Sequence, residues 1–237
     1  MAKANTTWKV LPHGPIEKLG SRLWRVEGAL EGMPLKRVMT VVKRADGTLL
    51  VHNAMALDAA AMEELDALGP VAAIVVPNGY HRLDAPVFKQ RYPTAKVYCP
   101  SGARAKVEEV VPVDGDYEAL GDDGVVRAET LDGTREAEGV LIVRDAEGTT
   151  LVFNDVVFNM PHAPGFSGFV FRYLTASSGG PRISRVARLF VVKDGAALRA
   201  HLERLAAIPG LVRAIVSHHE TITGEVDQTL RALAATL

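Results

Sequence analysis

One stretch constrains the rest of the chain: residues 72–86, AAIVVPNGYHRLDAP. It begins as an apolar run, Ala73-Ile74-Val75-Val76, of the length and β-branched character of a buried strand. It breaks at Pro77-Asn78-Gly79 and then presents Asn78, Tyr80, His81, Arg82 and Asp84. An apolar strand that stops at a turn and emits polar groups is how α/β proteins place sites at strand carboxyl ends. A similar sentence recurs later. ELDALGPVAAIVVPN (64–78) and ERLAAIPGLVRAIVSHH (203–219) both read as helix, Gly/Pro stop, Ala-Ile-Val strand and polar exit. Aligning Ala73-Ile74-Val75 with Ala214-Ile215-Val216 sets Pro77-Asn78 opposite His218-His219.

Two hairpins accompany these units. Lys36–Arg44 and Thr48–His52 flank an Asp46-Gly47 turn, which supplies the left-handed residue a tight hairpin needs. Gly139–Arg144 and Thr149–Asn154 flank Asp145-Ala146-Glu147-Gly148. The first hairpin ends at His52-Asn53, the second at Asn154-Asp155. The order β-β-α-β therefore occurs twice in one chain of 237 residues, a length suited to a single domain spanning 1–237. Further strands are expected at 8–11, 22–28, 96–99 and 211–216. Helices are expected from Ala59 to Leu68 with Asp58 as cap, from Pro86 to Tyr92, from Gly195 to Ala207 with Asp194 as cap, and after Thr223 or Gly224. Residues 110–124 read as acidic, glycine-rich connections. Residues 158–180 read as irregular, a candidate lid or oligomer contact.

Composition narrows the function classes. A net charge of −1 gives no global pull toward nucleic acid or acidic membranes. The expected partner is a small-molecule ligand or substrate, with a homodimer as the macromolecular alternative. Cys99 is the only cysteine, so no intramolecular disulfide forms. MAKANTTWKV has no signal-type apolar core, and no run approaches membrane-span length. The expectation is a cytoplasmic protein. GxGxxG, Walker, HExxH, CxxC and GxSxG motifs are missing.

The candidate pocket follows from strand exits: His52, Asn53, Asn78, Tyr80, His81, Arg82, Asp155, His218 and His219. Adjacent side chains point apart, so one of His218 and His219 is expected in the cleft. Asp84 reads as a helix N-cap, His162 as a solvated loop residue and His201 as a helix surface residue. Arg182, Arg185 and Arg188, three apart, read as a solvated basic stripe.

On the element order, the hairpins and these landmarks, residues 20–237 resemble a metallo-β-lactamase-fold protein. The resemblance implies an α+β fold, a four-layer αββα sandwich with the cleft at one edge of two sheets. It also implies a strand-exit motif His-x-His-x-Asp-His that holds one or two metal ions. In that register Asn78 and Tyr80 stand at the two histidines, Arg82 at the aspartate and Leu83 at the last histidine. His52 stands where an aspartate commonly ends the first hairpin. Asn154-Asp155 resembles the Gly-Asp that supplies a carboxylate, and His218 or His219 the late histidine. Val51-His52-Asn53, Pro77-Asn78, the YHRL segment, Tyr92–Tyr98 and Asn154–Asn159 together resemble a branch of that superfamily with an altered metal motif.

Ligand chemistry then limits what the cleft can hold. Zinc hydrolysis needs about three N, O or S donors and an open position. A phenol and a leucine do not serve, and a guanidinium at a ligand position repels a cation. The expectation is at most one divalent ion, zinc among the candidates, held by a rearranged set drawn from Asp155, His218, His219, His52 and His81. Two functions follow: a hydrolase with a mononuclear or rearranged site, or a non-catalytic ligand-binding or regulatory protein whose metal-free cleft uses Arg82 against Asp155 or a ligand anion.

Overall fold

The structure is a computed structural model that describes residues 4–237. Its first sheet runs in sequence order: β1 (Glu17–Lys18), β2 (Leu23–Leu30), β3 (Met33–Lys43), β4 (Leu49–His52), β5 (Val71–Val75) and β6 (Lys96–Tyr98). The second sheet is built from β7 (Val126–Thr130), β8 (Gly139–Asp145), β9 (Gly148–Phe153), β12 (Leu211–Ile215) and β13 (Ile222–Thr223), in the order β13-β12-β9-β8-β7. A separate ribbon pairs β10 (Phe158–Met160) with β11 (Gly180–Arg182).

Strand alternation sorts the side chains into three apolar layers. From β4, Leu49 and Val51 face one way and Leu50 the other; from β8, Val140 and Ile142 oppose Leu141 and Val143. Leu50, Ala73 and Val75 meet Leu141, Val143, Val152 and Ile215 between the two sheets. The opposite face of the first sheet takes Met62 and Leu65 of α1 (Ala59–Leu68), Phe88 of α2 (Ala85–Arg91) and Val107 of α3 (Arg104–Glu108). At the margin between the sheets, α4 (Tyr117–Leu120) inserts Tyr117 and Leu120. The short α5 (Gly165–Phe169) lies outside these layers. The far face of the second sheet takes Leu198, Leu202 and Leu205 of α6 (Gly195–Ala206), with Leu230 and Leu233 of α7 (Val226–Ala234). This is the αββα sandwich. A one-residue slip would exchange the faces of a strand, at roughly 1.5–3 kcal/mol per large apolar side chain exposed.

The internal repeat is real in three dimensions. β4 runs parallel to β5 with Leu50 opposite Ala73 and Val51 opposite Ile74. β9 runs parallel to β12 with Leu151 opposite Ala214 and Val152 opposite Ile215. Both halves thus send their strands out at one edge in the same register. Asp58 and Asp194 cap their helices as expected, accepting from Ala61 N and Ala197 N.

Four expectations are corrected. Residues 8–11 form no strand; Trp8 instead stacks on Phe88 at 5.2 Å and donates its indole N–H to the Leu57 carbonyl. Residues 110–124 are not connection alone: Asp116 caps α4 at Tyr117–Leu120, and β7 follows. Residues 158–180 are ordered as β10, α5, a π-helical turn at Val170–Leu174 and the start of β11. His201 is buried, because the α6 face it occupies packs on the 129–132 segment, where it accepts from Asp132 N.

Candidate metal centre

Four strand exits build the site. β4 ends at His52 and the chain turns through Asn53 with φ 56°, a left-handed residue that asparagine tolerates. The turn aims the Asn53 amide inward: its Nδ2 donates to the Val38 carbonyl, leaving Oδ1 toward His81 Nδ1 at 3.2 Å. After β5, Asn78 closes a local turn in which its Oδ1 accepts from both Tyr80 N and His81 N at 2.8 Å. That turn carries His81 back into the cleft. β9 delivers Asn154 and Asp155. β12 delivers Ser217 and His218, and Ser217 ties the two sheets together by accepting from Val38 N at 2.9 Å.

His81, Asp155 and His218 converge. Asp155 Oδ1 lies 3.0 Å from His81 Nε2 and 3.2 Å from His218 Nε2. The other nitrogen of each ring is committed. Asn53 Oδ1 and the Lys36 carbonyl are acceptors, so His81 Nδ1 and His218 Nδ1 donate to them. Both imidazoles therefore turn Nε2 toward one carboxylate oxygen, where a metal ion would replace the Nε2 proton that the carboxylate accepts. Phe158 stacks on His218 at 5.5 Å and fixes its plane. Asp155 Oδ2 accepts from Asn78 Nδ2 at 2.8 Å.

Burial penalises the Asp155 charge, but the His81 charge and the hydrogen bonds from His218 and His81 outweigh it and hold the carboxyl well below the usual range. The His218 imidazole is penalised by burial too, yet its bond to Asp155 raises its pKa overall. Behind them lies Glu138, buried and in contact with Asn78, Asn154 and the Asp155 N–H. Burial and then the Asp155 charge push its carboxyl well above the ordinary value. Two buried carboxyls in contact disfavour each other's charge, and here the shift falls on Glu138.

The donor set fits one cation. Its three ligand atoms lie within 4.8 Å of one another, the one such group among the described residues. An ion with bonds of about 2.0–2.2 Å spaces tetrahedral donors roughly 3.3–3.6 Å apart; the 3.0 and 3.2 Å separations here are shorter by a few tenths of an ångström, so the side chains would spread slightly to admit it. The second-nitrogen bonds to Asn53 and the Lys36 carbonyl are the outer contacts that orient metal-binding histidines.

The remaining candidates fall elsewhere. His52 is buried below the cleft, its Nδ1 unpartnered, and burial with the nearby His81 charge lowers its pKa to about 3. His219 has φ 64° and turns away to the Lys36 N–H. Tyr80 is 71% exposed. Arg82 does not meet Asp155: it pairs with Glu109 at 2.8 Å and donates to the Lys106 carbonyl. Its charge is thus removed from the cation position. Asp84 makes no cap bond; fully buried, it accepts from Arg37, Asn5 and Ala56 N. Cys99 is buried, and burial raises its thiol to about 11, which suits a core residue. Glu138 escaped the sequence reading because it precedes β8 instead of following a strand. The signal was available: an acid set directly before the apolar run Val140–Val143.

Beside His81 and His218 opens a cavity of about 290 Å³. Leu30, Met33, Leu35, Tyr80 and Leu83 form its apolar wall; Arg37, Asn53 and Arg82 add polar groups.

Comparison with known proteins places this architecture. The chain has the metallo-β-lactamase fold. It is similar to metallo-β-lactamase FIM-1 from Pseudomonas aeruginosa, solved in a mono-zinc form, with TM-score 0.62, 11% identity and coverage of 96% of this chain and 97% of that one. It is similar to DIM-1 metallo-β-lactamase at TM-score 0.63, 12% identity and coverage of 96% and 99%. A metallo-β-lactamase from Erythrobacter litoralis gives TM-score 0.61, 14% identity and coverage of 94% and 96%. No family model and no curated protein matches the sequence.

Proposed function

We propose that the chain is a metal-dependent hydrolase of small molecules with a mononuclear centre at His81, Asp155 and His218. One observation carries this reading: two imidazoles, each anchored through Nδ1, present Nε2 to the same oxygen of Asp155. A bound divalent ion at such a centre supplies Lewis acidity and a water of lowered pKa. The protein's own groups do the rest. Asn53 and the Lys36 carbonyl hold the imidazole tautomers. Asn78 holds Asp155 Oδ2. Glu138 accepts from Asn78 and Asn154 and so fixes both amides behind Asp155. The apolar wall of the cavity excludes water from one face of the substrate and favours a small, partly apolar one.

The metal-free binding alternative loses its Arg82–Asp155 contact, since Arg82 pairs with Glu109, while Arg82 still lines the cavity. The test is elemental analysis and calorimetry of protein loaded with zinc or manganese, followed by turnover of esters, lactones and phosphodiesters. One equivalent is expected, lost in Asp155→Ala and His81→Ala together with turnover. Undiminished metal binding in both variants would overturn the assignment.

A further inference from the structure

Residues 156–193 stand apart from the rest of the chain. They contain no aspartate or glutamate, yet carry Arg172, Arg182, Arg185, Arg188 and Lys193, in a protein whose net charge is −1. The two helical pieces in this stretch are built inside out. In α5 and the turn that continues it, Phe166, Phe169 and Tyr173 fall at i, i+3 and i+7, the spacing of one helix face. That face is the outer one: the three are 81%, 52% and 53% exposed, and the residue these pieces bury is Gly168. In the second piece, Ala187–Val191 with Val186 before it, Val186, Leu189 and Phe190 lie outward at i, i+3 and i+4, while Ala187 faces the core. A helix that faced only water would place small and polar residues where these aromatics stand.

The two pieces adjoin. Arg185 N donates to the Thr175 carbonyl, and the Arg185 guanidinium reaches the Tyr173 carbonyl at 2.7 Å. Phe169 and Tyr173 pack at 5.1 Å, and Arg172 lies over the Tyr173 ring. Arg182, Arg185 and Arg188 hydrogen-bond backbone carbonyls, and their charge is not neutralised by a carboxylate among the described residues.

We infer that this face docks on an anionic lipid bilayer, with the aromatic and aliphatic side chains entering the headgroup–acyl boundary and the five cations meeting lipid phosphates. Charge decides between occupants. A second copy would bring one acid-free basic face against another. An anionic membrane offers apolar depth and negative charge together, the two features an interfacial amphipathic helix matches. No helix of the described residues is long and apolar enough to cross a membrane, so the contact is peripheral. Docking rests on surface side chains and is independent of the metal centre.

Flotation with vesicles tests it, using phosphatidylcholine alone or with about 30% phosphatidylglycerol. The intact chain should float with the anionic vesicles, remain free with the neutral ones, and be released by about 0.5 M salt. Arg172→Gln should weaken binding about fivefold, the effect of one cation near an anionic surface. The double variant Phe166→Ser, Leu189→Ser should abolish it while its circular-dichroism melt matches wild type. Equal binding to neutral vesicles, or none to either, would overturn the inference. So would a concentration-dependent dimer in light scattering that the same double variant dissociates, which would assign the face to a second copy.

Discussion

His52 makes the protein acid-labile, and replacing it with a side chain that does not titrate should remove a defined part of that lability. It is 1% exposed at the end of β4, with Nδ1 unpartnered. Burial, then the His81 charge, lowers its pKa from 6.5 to about 3. The unfolded chain accepts a proton near pH 6.5, while the folded protein refuses it until about pH 3. Stability from this group is therefore full above 6.5 and falls as the pH drops. Each unit costs about 1.4 kcal/mol, so the loss is about 2–3 kcal/mol at pH 4.5 and approaches about 5 below pH 3. His52→Gln keeps a similar volume and never charges. Its buried amide lowers stability at every pH, so only the difference between two pH values is informative. Urea unfolding of wild type and variant, followed by Trp8 and Trp24 fluorescence in metal-free buffer at about pH 7.5 and 4.5, measures that difference. His218, with its raised pKa, gains stability as the pH falls, and Asp155 titrates lower still. Both remain in the variant and cancel. The variant should lose about 2–3 kcal/mol less than wild type between the two conditions. Equal losses would refute the buried neutral imidazole.

Three further outcomes are expected. Removing zinc from protein held at about 100 times its Kd should forfeit about 2.7 kcal/mol, a fall in Tm of about 5–10 °C by scanning calorimetry, and Asp155→Ala should show no such dependence. Arg37→Leu strands Asp84, whose side chain is 0% exposed, and should cost about 3–5 kcal/mol in urea unfolding; a cost under 1 would mean that Asn5 and Ala56 N satisfy the carboxylate alone. Gly133→Ala should destabilise by more than 2 kcal/mol, because φ is +77° and a Cβ would strike the Asp194 carbonyl at the cap of α6; a wild-type melting curve would show that the loop yields.

Sequence by itself determined the layers and the location of the cleft. Alternation in Leu49-Leu50-Val51 and Val140–Val143, the Asp46-Gly47 turn, and the caps Asp58 and Asp194 are short-range signals. Their physics acts within a few residues: a pleat of period two, a left-handed turn position, an orphan N–H two or three residues away. Two copies of one strand-exit pattern then sufficed to put Asn78, Asp155 and His218 at one edge. What only the tertiary structure decided is which polar groups face one another there. His81 meets Asp155 across 74 positions of chain, and His218 finds the Lys36 carbonyl across 182. Arg82 leaves the cation position because Glu109 and the Lys106 carbonyl lie within its reach, and the Glu138 carboxyl is pushed upward because the fold buries it beside Asp155. Such pairings depend on side-chain direction and local dielectric, and both exist only once distant strands have packed.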